Sequence, residues 1–492
     1  MGLRTQLQAL LAAAPSSDPA AGLGDEWWTW GQIRGIAESV DDLCDRLGLT
    51  EGARVGLLLQ NRPEFVGLLI GVLMSGRCVT TFNPLQPPAR LSADIVKNAP
   101  PVVIGLRNVV GVPEVRAAIE AHGVAVVAEP DGRLDSGPAV PGTEEGYAPG
   151  TAVEMLTSGT TGPPKRVRLG YAQFDSAFAA QGSGGVPRFT KSVGIVSAPM
   201  VHSGGLWHVI STVLSGRRLV LLERFRVADW VAAVERYRPK FVSLVPAALQ
   251  LVVDADVPKE SLSSLKAITS GTAACPPELI DTFVDKYGIR VLATYGATEF
   301  AGAIAAWTYA DHEKWYDAKR GSVGRPFKGV RVRATAAETG EPRPPGEVGR
   351  LQVRSAQTGG RWTTTSDLGR IDEDGFLFIT GRADAAILRG GFKVHPDKVE
   401  QVLQSHPAVR AAAVAGIADQ RLGQVPVAVV ELADGAAVTP AELLQACRVE
   451  LTPYEIPVAV EIVDRLPRTP SMKISRAEVA AMFEEGPDRG VS

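Results

Sequence analysis

One loop of the sequence concentrates hydroxyl groups, glycines and a lysine in a single short stretch. Residues 155–165 are MLTSGTTGPPK, and the first two of them are the last two of the strand-like segment AVEML at 152–156. Glycines let backbone N–H groups approach an anion, hydroxyls donate hydrogen bonds, and Lys165 supplies a positive charge. A Walker loop needs Lys directly after Gly, whereas here Pro163 and Pro164 intervene and Arg166 follows. The stretch therefore predicts an oligophosphate site of a different kind.

This loop resembles the signature of the acyl-adenylate-forming enzymes, which include acyl-CoA synthetases, adenylation domains of peptide synthetases and luciferases. Further segments resemble motifs of that family and occur in its order: VGLLLQNRPEFVGLLIGVLMSG at 55–76, SGTAACPPEL at 270–279, YGATE at 295–299, TTSDLGRIDEDGFLFITGRAD at 364–384 and PRTPSMK at 467–473. A surface turn without function is the alternative for the loop alone. The companion motifs disfavour it, and the resemblance spans nearly the whole chain.

The resemblance implies use of ATP and Mg²⁺ to join a carboxylic acid to AMP, with CoA as the expected acceptor. Two anions that repel must meet, so catalysis would rest on charge neutralisation and positioning. The matched positions imply catalytic roles for Lys473, Glu299, Thr298 and Lys165. They imply nucleotide binding by Thr157, Ser158, Gly159, Thr160, Thr161, Gly162, Gly271, Thr272, Ala273, Tyr295, Gly296, Ala297, Asp367 and Arg382.

Individual roles also follow from the resemblance. Glu299 matches the residue that helps to hold Mg²⁺, a hard cation that prefers oxygen ligands, and the alternative is a surface glutamate. Asp367 matches the aspartate that accepts hydrogen bonds from both ribose hydroxyls. Lys473 matches the lysine that bridges the acid and ATP, and the alternative is a solvated tail lysine. Asp384 matches the hinge, and Gly390 and Gly391 match the stretch presented to the CoA tunnel.

The sequence departs from the family pattern at three of these motifs. Arg166 stands after the loop lysine where glycine is usual, and this added cation could either tune the choice of nucleotide or substrate or simply face water. Ser366 precedes Asp367 in place of glycine. Met472 precedes Lys473, also in place of glycine, which puts the geometry of that loop in question.

The segment PMVHSGGLWH at 199–208 resembles the part of acyl-CoA and aryl-CoA ligases that borders the carboxylate pocket. His202 is therefore a pocket candidate, and a histidine packed in the core is the alternative. No aspartate stands in this segment to pair with an ammonium group, which disfavours an α-amino acid substrate. Ser243 and Gly302, with other small or apolar residues near Pro246 and Gly271, suit an uncharged aryl or aliphatic acid.

Alternating helical and strand-like patterns predict an α/β fold. We expect a large N-terminal domain over 1–383, made of α/β subdomains and a small β-rich subdomain near 324–380. A small, mobile α+β domain over 384–492 would carry Lys473. The Gly- and Pro-rich stretch 131–150 is expected to separate two subdomains of the large domain.

Composition excludes several classes of protein. The 492 residues carry a formal net charge of −3, which gives no indication of a nucleic-acid partner. The apolar runs near 65–76 and 241–253 are shorter than the roughly 20 residues of a membrane span. Four scattered cysteines are expected to be reduced core thiols. The first residues favour an amphipathic helix over a signal peptide, which makes the cytoplasm the expected location.

Three functions remain open on these grounds. The first is an AMP-forming carboxylate–CoA ligase acting on a small acid. The second keeps adenylation but transfers the acyl group to a carrier-protein thiol, an amine or another small nucleophile. The third is a nucleotide-binding regulator that has lost catalysis, which the changes at Arg166, Ser366 and Met472 would permit.

Overall fold

The computed structural model describes residues 2–129, 131–136, 147–156, 166–180, 188–337, 339–389, 392–419, 421–469 and 472–484. These residues form two compact units. The first comprises the described positions up to 330 together with 354–361, and the second comprises 331–353 and the positions from 362 onward. Within these ranges, no helix has both the length and the apolar character that crossing a membrane requires.

The first unit alternates strands with helices. Its strands are β1 Pro19–Leu23, β2 Glu26–Thr29, β3 Arg54–Leu58, β4 Cys78–Phe82, β5 Val102–Leu106, β6 Val124–Ala128, β7 Leu134–Ser136, β8 Thr151–Leu156, β9 Arg166–Gly170, β10 Val193–Val196, β11 Arg218–Leu221, β12 Phe241–Ser243, β13 Ala267–Ser270, β14 Arg290–Ala297, β15 Gly302–Ala306 and β16 Arg325–Pro326. Its helices are α1 Leu3–Ala13, α2 Trp30–Arg46, α3 Pro63–Met74, α4 Pro88–Asn98, α5 Arg107–Val110, α6 Pro113–Glu120, α7 Tyr171–Ala180, α8 Ser203–Leu214, α9 Val227–Tyr237, α10 Pro246–Asp254, α11 Pro277–Tyr287 and α12 Tyr309–Trp315.

A seven-stranded sheet has the strand order β7-β6-β5-β3-β4-β8-β9. Its inner strands run parallel, and β7 and β9 pair antiparallel at the two edges. Every residue of β4 and β6 is buried, which is typical of parallel strands covered on both faces. The last residue of β8 and the first of β9 flank the phosphate-loop segment 157–165, which lies outside the described residues.

Helix α3 is the apolar run that was too short for a membrane span, and it is buried on all sides. It packs closely on α2 because two glycines lie at the contact. A Cβ atom on Gly67 would lie 2.8 Å from Cβ of Ile36, and one on Gly71 would lie 2.7 Å from the carbonyl oxygen of Ala37. Thr29 and Gln32 form a capping box that fixes the start of α2.

The second sheet, of order β10-β11-β1-β2, joins the start of the chain to a much later segment. Strand β1 pairs parallel with β11, with Ala21 opposite Leu219. The expected boundary at 131–150 is wrong, because β8 and β9 follow it and yet belong to the same sheet as β3 to β7. Composition marked a surface loop there, whereas strand pairing decides which segments share a core.

The third sheet of this unit has the order β12-β13-β14-β15-β16. Strands β12, β13 and β14 run parallel, and β15 and β16 are antiparallel additions. Short 3₁₀ turns occur at Lys259–Leu262, Thr298–Phe300, Asp317–Lys319 and Ala356–Thr358. Because ligands of α/β proteins bind beyond the carboxyl ends of parallel strands, we expect a ligand to bind at the segments after β13 and β14.

The second unit contains two sheets. One is a meander of β17 Arg331–Thr335, β18 Gly349–Arg354, β19 Thr363–Ile371 and β20 Leu377–Arg382, followed by a 3₁₀ turn at Ala383–Ala385. The other has the order β22-β21-β24-β23, with β25 also paired to β24. Its strands are β21 Ile387–Arg389, β22 Phe392–Val394, β23 Val409–Asp419, β24 Gly423–Leu432 and β25 Ala459–Val463. The helices are α13 Pro396–Gln404, α14 Pro440–Glu450 and α15 Arg476–Glu484.

The α/β class is confirmed, with mixed sheets and an α+β region after Arg382. The expected first helix is also confirmed as α1, whose Leu3, Leu7 and Leu10 are buried. Cys44, Cys78 and Cys447 are buried free thiols, as expected, while Cys275 is half-buried.

Candidate functional site

The segment after β13 is the first part of the predicted nucleotide site. A Cβ atom on Gly271 would lie 2.2 Å from the hydroxyl oxygen of Thr294, so any larger residue there would force the Thr294 side chain to move. Thr272 has a φ of 69°, in the left-handed region that β-branched residues rarely adopt. Backbone strain of this kind persists where the surrounding structure imposes it, and it concentrates at binding and active sites.

The end of β14 carries Tyr295, Gly296 and Ala297. The β14–β15 register shifts between Tyr295 and Gly296, a bulge that changes the direction of the following side chains. A Cβ atom on Gly296 would lie 2.4 Å from the carbonyl oxygen of Gly302, so this residue must be glycine. The bulge leads directly into the 3₁₀ turn that holds Thr298 and Glu299.

The side chain of Glu299 is exposed. Its backbone carbonyl is held by Gln173, a residue that the sequence motifs did not predict to be part of the site. The amide nitrogen of Gln173 on α7 donates to the carbonyl oxygens of Glu299 at 3.2 Å and of Gln357 at 3.3 Å. Its amide oxygen accepts from the N–H of Gly170 at 2.7 Å. Gln173 thus connects the end of β9 to the Glu299 turn. Sequence reasoning missed it because contacts to carbonyl groups leave no signature in the sequence.

Helix α8 begins beside these segments. His202 is its N-cap residue, and the hydroxyl of Thr298 donates to that of Ser203 at 3.4 Å. A Cβ atom on Gly204 would lie 3.0 Å from a methyl carbon of Thr272. The start of α8 is therefore in contact with the two segments that sequence reasoning assigned to the nucleotide.

The loop that leads into α8 is held by Asn61, from the NRPEF turn before α3. Its amide nitrogen donates to the carbonyl oxygens of Ala198 at 3.0 Å and of Leu222 at 2.9 Å. Its amide oxygen accepts from the N–H of Met200 at 2.8 Å. Asn61 is 5% exposed, so these hydrogen bonds replace water that the side chain cannot reach. The motif at 55–76 that contains Asn61 does not reveal which loop this side chain holds.

An aromatic stack lies behind the start of α8. Trp207 is parallel to Phe178 at 4.2 Å between ring centroids, and Phe174 extends the stack. A Cβ atom on Gly302 would lie 3.3 Å from the indole ring of Trp207. Ser243 is half-buried at the end of β12, and its hydroxyl donates to the carbonyl oxygen of Thr269. Trp207 is a candidate pocket wall that the sequence patterns did not identify.

The second unit carries Asp367 and Arg382 as direct cross-strand partners on β19 and β20. The guanidinium of Arg382 donates to the hydroxyl of Ser366 at 2.8 Å. The N–H of Asp367 donates to the hydroxyl of Thr365 at 3.1 Å. The departure at Ser366 therefore supplies a hydrogen-bond partner for the predicted nucleotide-binding arginine.

Lys473 lies in the same unit, at the end of a narrow turn. Its N–H donates to the hydroxyl of Thr469 at 3.3 Å, and its carbonyl oxygen accepts from the N–H of Thr469 at 2.8 Å. Burial of the ammonium, assisted by the positive charge of Arg382, lowers the pKa of Lys473 below its usual range. Met472 has a φ of 63°, the conformation that favours the glycine usual at this position.

The side chain of Arg166 does not face water, which was one of the two alternatives for this departure from glycine. Its guanidinium donates to the carboxylate of Asp94 on α4 at 2.8 Å and to the carbonyl oxygen of Thr81 at 2.9 Å. It also lies 4.8 Å over the ring of Phe82. This departure from glycine is therefore an anchor between β9, β4 and α4.

Other predicted residues lie outside the described part of the chain. They are Thr157, Ser158, Gly159, Thr160, Thr161, Gly162 and Lys165 of the loop, and Gly390 and Gly391 of the CoA segment. The backbone of Asp384 lies in the 3₁₀ turn after β20. No group of three or more His, Cys, Asp and Glu side chains that could hold a metal occurs in the part of the chain that the structure describes.

The sequence profile of the AMP-binding enzymes matches residues 9–360, and that of their C-terminal domain matches residues 398–473. The chain belongs to the AMP-binding enzymes. The expected kinship with acyl-adenylate-forming, acyl-CoA synthetase-like proteins is thereby confirmed. Among its relatives, the sulfoacetate–CoA ligase of Cupriavidus necator is 29% identical over 482 residues, covering 92% of each chain. The 2-succinylbenzoate–CoA ligase of Bacillus mycoides is 33% identical over 347 residues, or 67% of this chain and 70% of the relative.

Solved structures of this AMP-binding family share the fold. ATP-bound MatB from Rhodopseudomonas palustris superposes with a TM-score of 0.82 at 23% identity, covering 99% of both chains. The amide bond synthetase McbA from Marinactinospora thermotolerans superposes with a TM-score of 0.81 at 26% identity, covering 98% of this chain and 100% of McbA. The similarity in both cases extends over the second unit as well as the first.

Proposed function

We propose that this AMP-binding enzyme activates a small carboxylic acid with ATP, releases pyrophosphate, and passes the acyl group from the acyl-adenylate to the thiol of CoA. The observation that carries the proposal is the arrangement in the second unit. Asp367 and Arg382 are cross-strand partners, and Arg382 is close enough to Lys473 to lower the pKa of its ammonium. The CoA ligases among its relatives support the choice of acceptor.

Charge explains why these residues suit adenylation. The acid carboxylate and the α-phosphate repel each other, and cations held in a partly desolvated site offset that repulsion far more than they would in water. Lys473 and Arg382 would supply such cations, while the carboxylate of Asp367 would accept hydrogen bonds from the ribose. The loop with Thr157, Ser158, Thr160, Thr161 and Lys165 would hold the phosphates.

Mg²⁺ fits this proposal through Glu299. Mg²⁺ is commonly bound by one or two carboxylates together with substrate phosphates, so a single exposed carboxylate is a suitable protein contribution. When bound, the ion would offset phosphate charge. Glu299 would need a fixed position for this, and the hydrogen bond from Gln173 to its backbone provides one.

The acid would bind at the start of α8, between His202, Ser243 and Gly302. Trp207 and the rings behind it would limit the depth of this pocket, which favours a small acid over a long acyl chain. The lack of an aspartate in 199–208 disfavours an α-amino acid. We further propose the division at 383/384 as the functional one, with Asp384 as hinge, Gly390 and Gly391 at the CoA tunnel, and a cytoplasmic location.

A second candidate function is amide formation, in which an amine replaces CoA. It is favoured by the amide bond synthetase McbA, which matches the fold over nearly all of this chain. Transfer to a carrier-protein thiol is a third outcome of the same adenylating chemistry. The inactive regulator is disfavoured because Ser366 supplies a hydrogen-bond partner for Arg382, and Arg166 is bound to the carboxylate of Asp94.

The deciding experiment measures pyrophosphate release from ATP over a panel of aliphatic, aryl, cinnamyl and dicarboxylic acids, with and without CoA. Acid-dependent release that CoA accelerates, with stoichiometric thioester, would support the ligase. Acid-dependent release that only an amine or carrier protein accelerates would favour the second or third acceptor. ATP binding without release for any acid would support the regulator.

A pair of lysine variants separates the two half-reactions. Lys473→Ala should lose adenylate formation and keep thioester formation from a supplied acyl-adenylate. Lys328→Ala, which changes an exposed lysine of the first unit, should leave both half-reactions intact. Full adenylation by Lys473→Ala would contradict the role assigned to this lysine.

A further inference from the structure

A short hairpin over residues 467–475 carries Lys473 in the second unit. Arg468 and Ile474 pair across it as an antiparallel bridge. At its turn, the N–H of Thr469 donates to the carbonyl oxygen of Lys473 at 2.8 Å. These backbone contacts set the course of the chain on either side of the lysine.

The peptide group between Met472 and Lys473 is bound at both of its ends by side chains. Its carbonyl oxygen, which belongs to Met472, accepts from the guanidinium of Arg468 at 3.2 Å. Its N–H, which belongs to Lys473, donates to the hydroxyl of Thr469 at 3.3 Å. A trans peptide bond is planar, and its C=O and N–H point in opposite directions. Arg468 and Thr469 therefore hold opposite edges of one plane, and rotation of that plane would break both hydrogen bonds.

The orientation of this plane matters because it ends at the Cα atom of Lys473. It helps to set the direction in which the lysine side chain leaves the backbone. That side chain is a flexible four-carbon chain with a compact charge at its end, so it cannot define the position of the ammonium by itself. A displacement of about 1 Å in a catalytic group can cost about 100-fold in rate.

Met472 adds a third restraint to the same peptide group. Its φ of 63° lies in the left-handed region, which is small for any residue with a side chain. The glycine usual at this position populates positive and negative φ about equally and would leave the next peptide group more freedom. The departure from glycine thus reduces the freedom of the backbone next to Lys473, and the hydrogen bonds from Arg468 and Thr469 act on the orientation that remains.

We propose that Arg468 and Thr469 are positioning residues for Lys473, because together they hold the peptide group that precedes its Cα atom. The inference rests on the proposed function, in which Lys473 acts in the adenylation step. Both residues act through the lysine backbone. Thr469 is half-buried whereas Arg468 is exposed, so the hydroxyl has the larger effect of the two.

The first test compares the two half-reactions. Thr469→Val keeps the shape of the side chain and removes the hydroxyl, so the kcat of adenylation should fall about tenfold. The KM for ATP should stay within about twofold, and thioester formation from a supplied acyl-adenylate should be unchanged. Thr469→Ser should restore the parent kcat. Arg468→Gln should lower it about threefold.

The matched control is Thr439→Val, which removes the capping hydroxyl of α14 in the same unit. It should lower the free energy of unfolding and leave the ratio of the two half-reactions as in the parent. Equal losses in both half-reactions of Thr469→Val would assign Thr469 to folding alone and overturn the proposal.

The second test does not require the reaction. Hydrogen exchange of the Lys473 amide is measured in the full chain by mass spectrometry with fragmentation to single residues. Exchange should be about tenfold faster in Thr469→Val, because the N–H loses its acceptor. Thr469→Ser and Arg465→Gln, at another exposed arginine, should exchange like the parent.

Unchanged exchange in Thr469→Val, or faster exchange with undiminished adenylation, would overturn the proposal. Failure of the proposed function gives a different result, in which the parent adenylates no acid or Lys473→Ala adenylates fully. The exchange rates then still decide whether the Thr469 hydroxyl holds this peptide group.

Discussion

The hydroxyl of Ser366 accepts a 2.8 Å hydrogen bond from the guanidinium of Arg382, and Arg382 is in turn the cross-strand partner of Asp367. Serine stands where glycine is usual in this family. The substitution therefore adds a contact that restrains the arginine beside the proposed ribose-binding aspartate. The positive charge of the same arginine also contributes to the lowered pKa of Lys473, so Ser366 restrains a group whose charge acts on the proposed catalytic lysine.

Replacing Ser366 with Ala should weaken ATP use. A hydrogen bond to a charged group contributes about 1.5–3 kcal/mol when fully desolvated, and in a half-buried position we expect about 1 kcal/mol. The KM for ATP should rise about fivefold. Ser366→Thr keeps the hydroxyl and should restore the parent value, whereas an unchanged KM in Ser366→Ala would show that Arg382 is held by other contacts.

Replacing Met472 with Gly should stabilise the second unit. A non-glycine residue in the left-handed conformation costs about 1–2 kcal/mol, and the greater freedom of glycine in the unfolded chain returns about 0.4–1 kcal/mol of that. The free energy of unfolding should rise by about 0.5–1 kcal/mol, measured by urea denaturation. Met482→Gly, within α15, should lower it instead. Destabilisation by Met472→Gly would mean that its side chain packs usefully.

Replacing Asn61 with Ala should impair recognition of the acid more than that of ATP. Its hydrogen bonds hold the loop that leads to His202, and their loss leaves two half-buried carbonyl oxygens and the buried N–H of Met200 without their partner. We expect the KM for the acid to rise about tenfold or more, with little change in the KM for ATP. Asn108→Ala, at an exposed asparagine, is the control. Equal increases in both KM values would contradict a role of Asn61 that is specific to the acid pocket.

Acid should destabilise the first unit through His312. Its ring is stacked on Tyr316 at 4.3 Å and is 5% exposed, and burial, with the charge of Arg290, lowers its pKa from 6.5 to about 4. Between these values the unfolded chain binds the proton and the folded chain does not. Stability is therefore lost as the pH falls from about 6.5 to about 4, by up to about 3 kcal/mol.

The check on His312 is a series of urea denaturations between pH 7 and pH 4. His312→Phe keeps an aromatic ring in the stack and should reduce the loss of stability on acidification. His122→Phe, at an exposed histidine, should leave the pH dependence of the parent chain unchanged. If His312→Phe loses stability with acid as steeply as the parent, other groups account for the effect.

Much of the local structure could be predicted because its causes are local. The capping residues and helical period from Trp30 predict α2, and the Thr439–Glu442 capping box with Pro440 predicts α14. The apolar run at 241–253, too short for a membrane span, divides into β12 and α10, and composition alone does not mark the boundary between them. Even a correct prediction of every strand would not show that β8 and β9 belong to the same sheet as β3.

The sequence by itself determined the family and the class of reaction, because glycines, hydroxyls and charged residues at fixed spacings are the motifs from which that chemistry is built. Tertiary structure decided which distant groups support them. Asn61 forms hydrogen bonds with the loop before α8, Gln173 with the backbone of the Glu299 turn, and Arg166 with the carboxylate of Asp94. Such contacts are made with backbone carbonyls or with side chains far along the chain, and only the packing of the sheets brings them within hydrogen-bond distance.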